Sequence, residues 1–69
     1  MKNTFSENLR KFRLEQGLKQ IDLAKRLSTT QRRISYWESG KIEPDMNSLW
    51  ELADFFDISI DELIGREEL

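Results

Sequence analysis

Four side chains that can hydrogen-bond recur on one side of the segment between residues 31 and 38. They are Gln31, Arg32, Ser35 and Tyr36. Ile34 and Trp37 fall on the other side at helical spacing, so we expect them to face a core and the first four to point outward. The outward face is rich in hydrogen-bond donors, planar groups and positive charge. Such a face is suited to binding a ligand, and an ordinary solvated helix surface is the alternative.

Composition excludes most catalytic chemistry. The chain has 69 residues with no cysteine and no histidine, so disulfides, thiolate and imidazole metal sites and the common nucleophile–base pairs are ruled out. Carboxylates are abundant, but a core of this size offers no obvious deep cleft for a paired-carboxylate enzyme. We therefore expect a protein that is not an enzyme, without a metal, a cofactor or an evident small-molecule ligand.

Length and hydropathy indicate one small domain, residues 1–69, with its core between residues 5 and 64. The chain has no apolar run near the roughly 18 residues that a membrane helix needs and no signal peptide. We therefore expect a soluble, cytoplasmic protein that does not contact a membrane.

The charges are segregated along the chain. Residues 1–41 hold ten basic and four acidic residues, a net charge of +6, whereas residues 42–69 hold one basic and nine acidic residues, a net charge of −8. This asymmetry favours one face for a polyanion and one face turned away from it. Two solvated surfaces of opposite sign are the simpler interpretation.

Periodicity and capping signals predict five helices and no strand. The helices are expected at Phe5–Gln16, Gln20–Leu27, Gln31 to about Glu38, Met46–Phe56 and from Ser59 through Ile64. The expected caps are Thr4 with Glu7, Thr30, Asp45, and Ser59 with Glu62, whereas Lys19 is a poor cap. The predicted core comprises Phe5, Leu9, Phe12, Leu18, Leu23, Ala24, Leu27, Ile34, Trp37, Leu49, Leu52, Ala53, Phe56, Ile60 and Leu63.

The segment from Phe5 to Leu63 resembles the Cro/cI-type helix-turn-helix family, also called the XRE family. The residues that carry the resemblance are Leu9, Arg13, Gly17-Leu18, Gln20, Leu23-Ala24, Leu27, Ile34-Ser35, Trp37-Glu38, Gly40-Lys41, Pro44, Leu49, Leu52-Ala53, Phe56 and Ile58 to Leu63. The resemblance implies a compact, all-α, five-helix lambda-repressor-like domain that binds double-stranded DNA. The second and third helices would form the helix-turn-helix, with a recognition helix at about residues 31–38 in the major groove.

Two further features follow from the resemblance. Family members usually carry glycine at the position of Ser28, where the turn favours a positive φ, so Ser28 is expected to cost about 1 kcal/mol there. Arg13 and Glu38 are expected to form a structural ion pair between the first helix and the end of the third.

The resemblance also assigns residues to DNA. Base reading is expected from Gln31, Arg32, Tyr36 and Ser35, since Gln can pair with adenine and Arg with guanine. Phosphate contacts are expected from Gln20, Thr30, Arg33, Ser39, Lys41 and Arg10. For Tyr36 a partly packed surface ring, for Thr30 a cap alone, for Arg33 a solvated side chain and for Arg10 a carboxylate partner are the alternatives.

We interpret the chain as a sequence-specific transcriptional regulator, a repressor that binds a palindromic operator as a homodimer. Phe55, Ile60 and Trp50 are the candidates for the dimer contact, with packing in or beside the core as the alternative; Phe55 is expected to be exposed. A module that binds a protein partner, as an antitoxin does, would use the acidic half and Phe55. The operator sequence, the direction of regulation and the oligomeric state stay open.

Overall fold

Five helices make up the part of the chain that the computed structural model describes, residues 3–66. The helices are α1 (Phe5–Glu15), α2 (Gln20–Arg26), α3 (Gln31–Ser39), α4 (Met46–Phe56) and α5 (Ile60–Ile64). The predicted all-α, five-helix class is confirmed, and the predicted helix ends differ by at most one residue from the observed ones. Within these residues no helix is long and apolar enough to cross a membrane.

The helices enclose one core to which all five contribute. The buried apolar residues are Phe5, Leu9, Leu23, Ala24, Ile34, Trp37, Leu52, Ala53, Phe56 and Leu63. The other five predicted core residues, Phe12, Leu18, Leu27, Leu49 and Ile60, are partly buried and pack against that core. Since α1 and α2 both pack against α3, the outward face of α3 is held from behind on two sides.

The structure decides the exposure of two aromatic side chains. The expectation of an exposed Phe55 is wrong: it packs partly against the core, with its ring edge-on to Phe56 at a centroid distance of 5.0 Å. Trp50 has 63% of its surface exposed, so the alternative of packing in or beside the core does not hold, and its dimer contact stays a prediction. The helical stripe alone could not distinguish them, because their burial depends on where neighbouring elements end.

The start of α1 is capped by Asn3 and joined to α5, and the predicted side-chain cap of Thr4 does not form. Thr4 makes no side-chain capping bond; instead, the Asn3 side chain accepts a hydrogen bond from the Phe5 backbone N–H at 3.1 Å. Asn8 donates to the hydroxyl of Thr4 at 2.9 Å and to the carbonyl of Leu63 at 3.1 Å. The Thr4 side chain is therefore part of a junction between α1 and the end of α5.

The turn between α2 and α3 has the expected geometry. Ser28 adopts a φ of 55°, the left-handed conformation that glycine reaches without steric cost. Thr30 then caps α3, because its hydroxyl accepts the backbone N–H of Arg33 at 3.2 Å. At the other end of the motif, the carboxylate of Asp22 accepts the backbone N–H of Lys19 at 3.0 Å. Asp22 thus supports a helix start that has no capping side chain at Lys19.

Candidate nucleic-acid interface

Helix α3 presents its polar side to solvent because its apolar side is anchored. Ile34 and Trp37 are buried, and the Trp37 ring meets that of Phe5 edge-on at 6.5 Å. Gln31 and Arg32 are exposed at the start of the helix, whereas Ser35 and Tyr36 are half-buried. The structure therefore leaves the first turn of α3 as the most accessible part of its polar face. All four predicted base-reading residues lie on that face.

Tyr36 lies between two cationic side chains. The guanidinium carbon of Arg32 is 5.9 Å from the centre of the Tyr36 ring, and the Nζ of Lys41 is 4.9 Å from it. A cation within about 6 Å of an aromatic face is attracted to the ring. The ring thus attracts both of these exposed cations. The sequence signal for this arrangement is the i, i+4 spacing of Arg32 and Tyr36, which makes them neighbours on the helix.

Arg13 and Glu38 form a two-pronged ion pair beneath the polar face. The Nε of Arg13 lies 2.6 Å from the Oε2 of Glu38, and its Nη2 donates to Oε1 at 3.0 Å. The third guanidinium nitrogen donates to the carbonyl of Leu18 at 2.7 Å. Only 8% and 5% of the two side chains is exposed. The pair joins α1, the loop before α2 and the end of α3.

Gln20 is connected to the same ion pair. Its Nε2 donates to Oε1 of Glu38 at 3.1 Å, which orients the amide at the amino end of α2. An amide nitrogen carries two hydrogens, so this bond uses one of them and the other can be donated elsewhere. Glu38 therefore positions Gln20, one of the predicted phosphate-contacting residues.

A shallow depression of about 280 Å³ lies between α1, α2 and α3. It is lined by Arg10, Arg13, Gln20, Ser35, Glu38 and Ser39. Three of the predicted phosphate-contacting residues, Arg10, Gln20 and Ser39, thus meet at one place, with the ion pair as its floor. The other three, Thr30, Arg33 and Lys41, do not line it. Spacing along the sequence could not reveal this grouping, because Arg10 and Ser39 lie on different helices.

The hydroxyl groups of Thr30 and Ser39 differ in what they can still donate. The Ser39 hydroxyl donates to the backbone carbonyl of Tyr36 at 3.2 Å, so it must rotate before it can donate to a ligand. The Thr30 hydroxyl only accepts, from the backbone of Arg33, and keeps its own hydrogen. The cap of α3 can therefore serve as a donor at the same time.

Arg33 has partners within the protein. Its Nη2 donates to the carboxylate of Asp45 at 3.0 Å and to the hydroxyl of Ser48 at 3.1 Å. Its guanidinium carbon also lies 4.9 Å from the Trp37 ring centre. These contacts connect α3 to the start of α4. The Arg33 side chain is still 47% exposed, and its predicted phosphate contact stays a prediction.

Asp45 has a perturbed acidity. The hydroxyl of Ser48 donates a short hydrogen bond to it. That bond, with the nearby charge of Arg33, lowers the pKa of the Asp45 carboxyl below its ordinary value of 3.8. Hydrogen bonding and an opposite charge both favour the ionised form. Asp45 is therefore a stable anion that faces Arg33 at neutral pH.

Comparison with known proteins identifies relatives of one kind. Residues 9–63 match the model of a family described as helix-turn-helix. The chain is 45% identical over 65 residues to the HTH-type transcriptional activator BcrR of Enterococcus faecalis, and 36% identical over 63 residues to the uncharacterised HTH-type transcriptional regulator YqaE of Bacillus subtilis. These matches cover 94% and 91% of the chain.

A solved structure agrees closely with the fold. The crystal structure of a transcriptional regulator from Listeria innocua superposes with a TM-score of 0.90 at 38% identity and covers the whole chain. The chain spans 32% of the length of BcrR, 54% of YqaE and 64% of the Listeria chain. In these three proteins the similarity therefore concerns one helix-turn-helix region within a longer chain.

Proposed function

This chain belongs to the Cro/cI-type, or XRE, helix-turn-helix family of transcriptional regulators, and from that premise we propose that it recognises specific sequences in double-stranded DNA. The observation that carries the proposal is the exposed polar start of α3 beside the depression that Arg10 and Gln20 line. Base edges are read by side chains of one helix in the major groove, while neighbouring groups hold the phosphates. Both kinds of group lie next to each other here.

Base reading falls to Gln31 and Arg32, which are the exposed members of the polar face. Glutamine pairs with adenine N6 and N7, and arginine pairs with guanine O6 and N7. Tyr36 acts as the platform that directs Arg32, because the guanidinium lies within reach of its ring. Ser35 is half-buried one turn further along and reads a base at the edge of this contact.

Phosphate binding falls to the rim around α3. Arg10 supplies charge, Gln20 donates the amide hydrogen that Glu38 does not use, and Ser39 donates once its hydroxyl leaves the Tyr36 carbonyl. Thr30 and Lys41 extend the rim at the two ends of α3. Neutralising phosphates with basic groups releases counterions, so the affinity should fall steeply as salt rises.

Selection from a random pool of duplex DNA, followed by binding measurements at several salt concentrations, tests the proposal. Replacing Arg32 with alanine should cost about 1–3 kcal/mol of binding free energy and relax the preference at one base pair. Arg26→Ala is the matched control, since this exposed arginine on α2 has no base-reading role and should leave base preference unchanged. Affinity that does not change with salt, or a pool without an enriched sequence, would contradict the proposal.

The regulatory unit that we propose is a homodimer on a palindromic operator, acting in the cytoplasm as a repressor that occludes a promoter. Two-fold proteins of this type bind half-sites roughly 34–36 Å apart. The partly exposed edges of Phe55 and Ile60, near the α4–α5 junction, are our assignment for the contact between copies. Sedimentation with a palindromic duplex should show two chains per duplex, and one chain per duplex would contradict dimer binding.

The direction of regulation needs its own test, because one relative is named an activator. In vitro transcription from a promoter that carries the selected sequence should give less transcript as the chain is added. More transcript would replace repression with activation and leave the proposed DNA binding intact.

A further inference from the structure

Three large apolar side chains are exposed together at the start of α4, on the acidic half of the chain. Met46 is 79% exposed and Trp50 63%, and Ile42, in the loop that leads into α4, is 47% exposed. Met46 and Trp50 are four residues apart and therefore neighbours on one face of the helix. We call Ile42, Met46 and Trp50 the α4 apolar surface.

A groove lies beside this surface. It has a volume of about 580 Å³, and its apolar lining includes Phe5, Ile42, Pro44, Leu49 and Ile64. Ile42 lines the groove, and Met46 and Trp50 lie on α4, the helix that also contributes Leu49 to the groove. An exposed tryptophan next to an apolar groove is characteristic of a protein-binding site, because a partner that covers so large a ring removes it from water and thereby stabilises the complex.

The charge around this surface is mainly negative; the nearby basic residues are Lys41, which precedes Ile42, and Arg33, which is bonded to Asp45. Residues 42–65 contain no lysine or arginine. Asp54 is exposed one turn after Trp50 on α4, Glu51 is exposed on the same helix, and Glu43 lines the groove. Each ion pair found within residues 3–66 involves either Glu38 or Asp45. The α4 apolar surface is therefore bordered by carboxylates that no basic group of the described structure neutralises.

The negative charge indicates which kind of molecule can bind the α4 apolar surface. DNA is disfavoured, because phosphates would meet carboxylates. A second copy of the chain is disfavoured too, since residues 42–65 of the copy bring seven acidic residues and no basic one, and facing like charges destabilise an interface. A partner with lysine or arginine beside its apolar residues can cover the apolar side chains of this surface and pair with the carboxylates around it.

We propose that the α4 apolar surface and its groove bind a basic amphipathic segment of another protein. Apolar side chains of that segment would cover Trp50 and Met46 and enter the groove, while its basic side chains would pair with Glu51, Asp54 and Glu43. This site contains no residue that we assign to DNA, although its groove borders the proposed DNA interface at Lys41, between Gly40 and Ile42. It does not depend on DNA binding.

The test uses a synthetic amphipathic peptide of lysine and leucine, titrated into the whole chain labelled with ¹⁵N and observed by NMR. The indole N–H signal of Trp50 should shift on titration, while that of the buried Trp37 stays in place. A peptide with glutamate in place of lysine should not bind. No shift of the Trp50 signal with the lysine peptide, or an equal shift with the glutamate peptide, would overturn the proposal.

Matched variants separate this surface from general attraction between a cationic peptide and an acidic chain. Trp50→Ser should weaken peptide binding by about tenfold or more, whereas Leu14→Ser, at an exposed apolar residue on α1, should leave it unchanged. Glu51→Lys with Asp54→Lys should weaken it by a similar factor. Glu7→Lys with Glu15→Lys makes the same change in net charge on α1 and should weaken it far less.

Equal losses from the two charge-reversed pairs would show attraction without a site and would overturn the proposal. Signals of the α4 apolar surface that shift when the chain alone is diluted would assign the surface to a second copy and would overturn it as well. The helical circular-dichroism signal of Trp50→Ser, measured in parallel, should equal that of the unchanged chain, which shows that the variant is folded.

Discussion

Replacing Glu38 with alanine should lower the stability of the domain while leaving its preference among DNA sequences intact. The change removes the two hydrogen bonds from Arg13, at 2.6 and 3.0 Å, and the bond from Gln20 at 3.1 Å. Arg13 keeps its bond to the carbonyl of Leu18. Its charge is then left in a site where 8% of the side chain is exposed.

The magnitude follows from that uncompensated charge. Breaking a buried ion pair by removing one partner typically costs about 3–5 kcal/mol. A domain of this size has a free energy of unfolding of roughly 3–10 kcal/mol, so the loss is a large part of the total. With a shift of about 4–8 °C per kcal/mol, the melting temperature should fall by at least about 12 °C.

Urea denaturation followed by circular dichroism measures the stability. Binding is then measured under conditions where the variant is folded, with the selected operator and with an operator changed at one base pair. Affinity for both duplexes should fall together, because Gln20 loses the carboxylate that orients it. The ratio of the two affinities should stay the same, since Gln31 and Arg32 do not contact Glu38.

A double variant checks the physical reason. In Arg13→Met/Glu38→Leu no charge is buried, so its loss of stability should be well below the sum of the losses in the two single variants. Glu7→Ala, at an exposed carboxylate, should change the stability little. A Glu38→Ala variant with unchanged melting and lost base preference would refute the reasoning, and so would simple additivity in the double variant.

Three further predictions concern the fold. Ser28→Gly should stabilise the domain by about 1 kcal/mol because it relieves a positive φ, whereas Thr29→Gly should destabilise it; equal effects on urea midpoints would contradict this. Trp37→Ala should cost about 3–5 kcal/mol by emptying a core site, and unchanged melting would refute it. The hydrogen bond from Ser48 lowers the pKa of Asp45, so the ionised carboxylate of Asp45 stabilises the fold above pH 3.8. This stabilisation disappears as the pH falls through the lower pKa that Asp45 has in the folded state. The difference in free energy of unfolding between the unchanged chain and Asp45→Asn should therefore shrink as the pH is lowered, and a constant difference would contradict the assignment.

Local sequence signals were sufficient wherever the interaction is local. Ser59 and Glu62 form the capping box that their spacing predicts, with hydrogen bonds of 3.0 and 3.2 Å. Thr30 caps α3, and Ser28 adopts the expected positive φ. Such features depend on residues within one turn of each other, whose geometry the backbone itself fixes. For the same reason the periodic apolar residues identified the core.

Long-range contacts were not accessible in this way. Arg33 bonds Asp45 across 12 residues, and Asn8 reaches the carbonyls at the end of α5 across more than 50. A helical pattern shows which side of a helix is apolar, but it does not show which helix lies opposite or how far that neighbour extends. For this reason the pattern failed to show that Phe55 is covered and Trp50 exposed.

The sequence by itself determined the five helices, their core and the polar outward face of α3, because helical periodicity and capping are encoded within a few neighbouring residues. Only the tertiary structure decided that Arg10, Gln20 and Ser39 share one depression, and that Glu38 positions Gln20. It also decided that the α4 apolar surface is left uncovered. These outcomes depend on how three or more helices pack, and packing is set by the whole core at once.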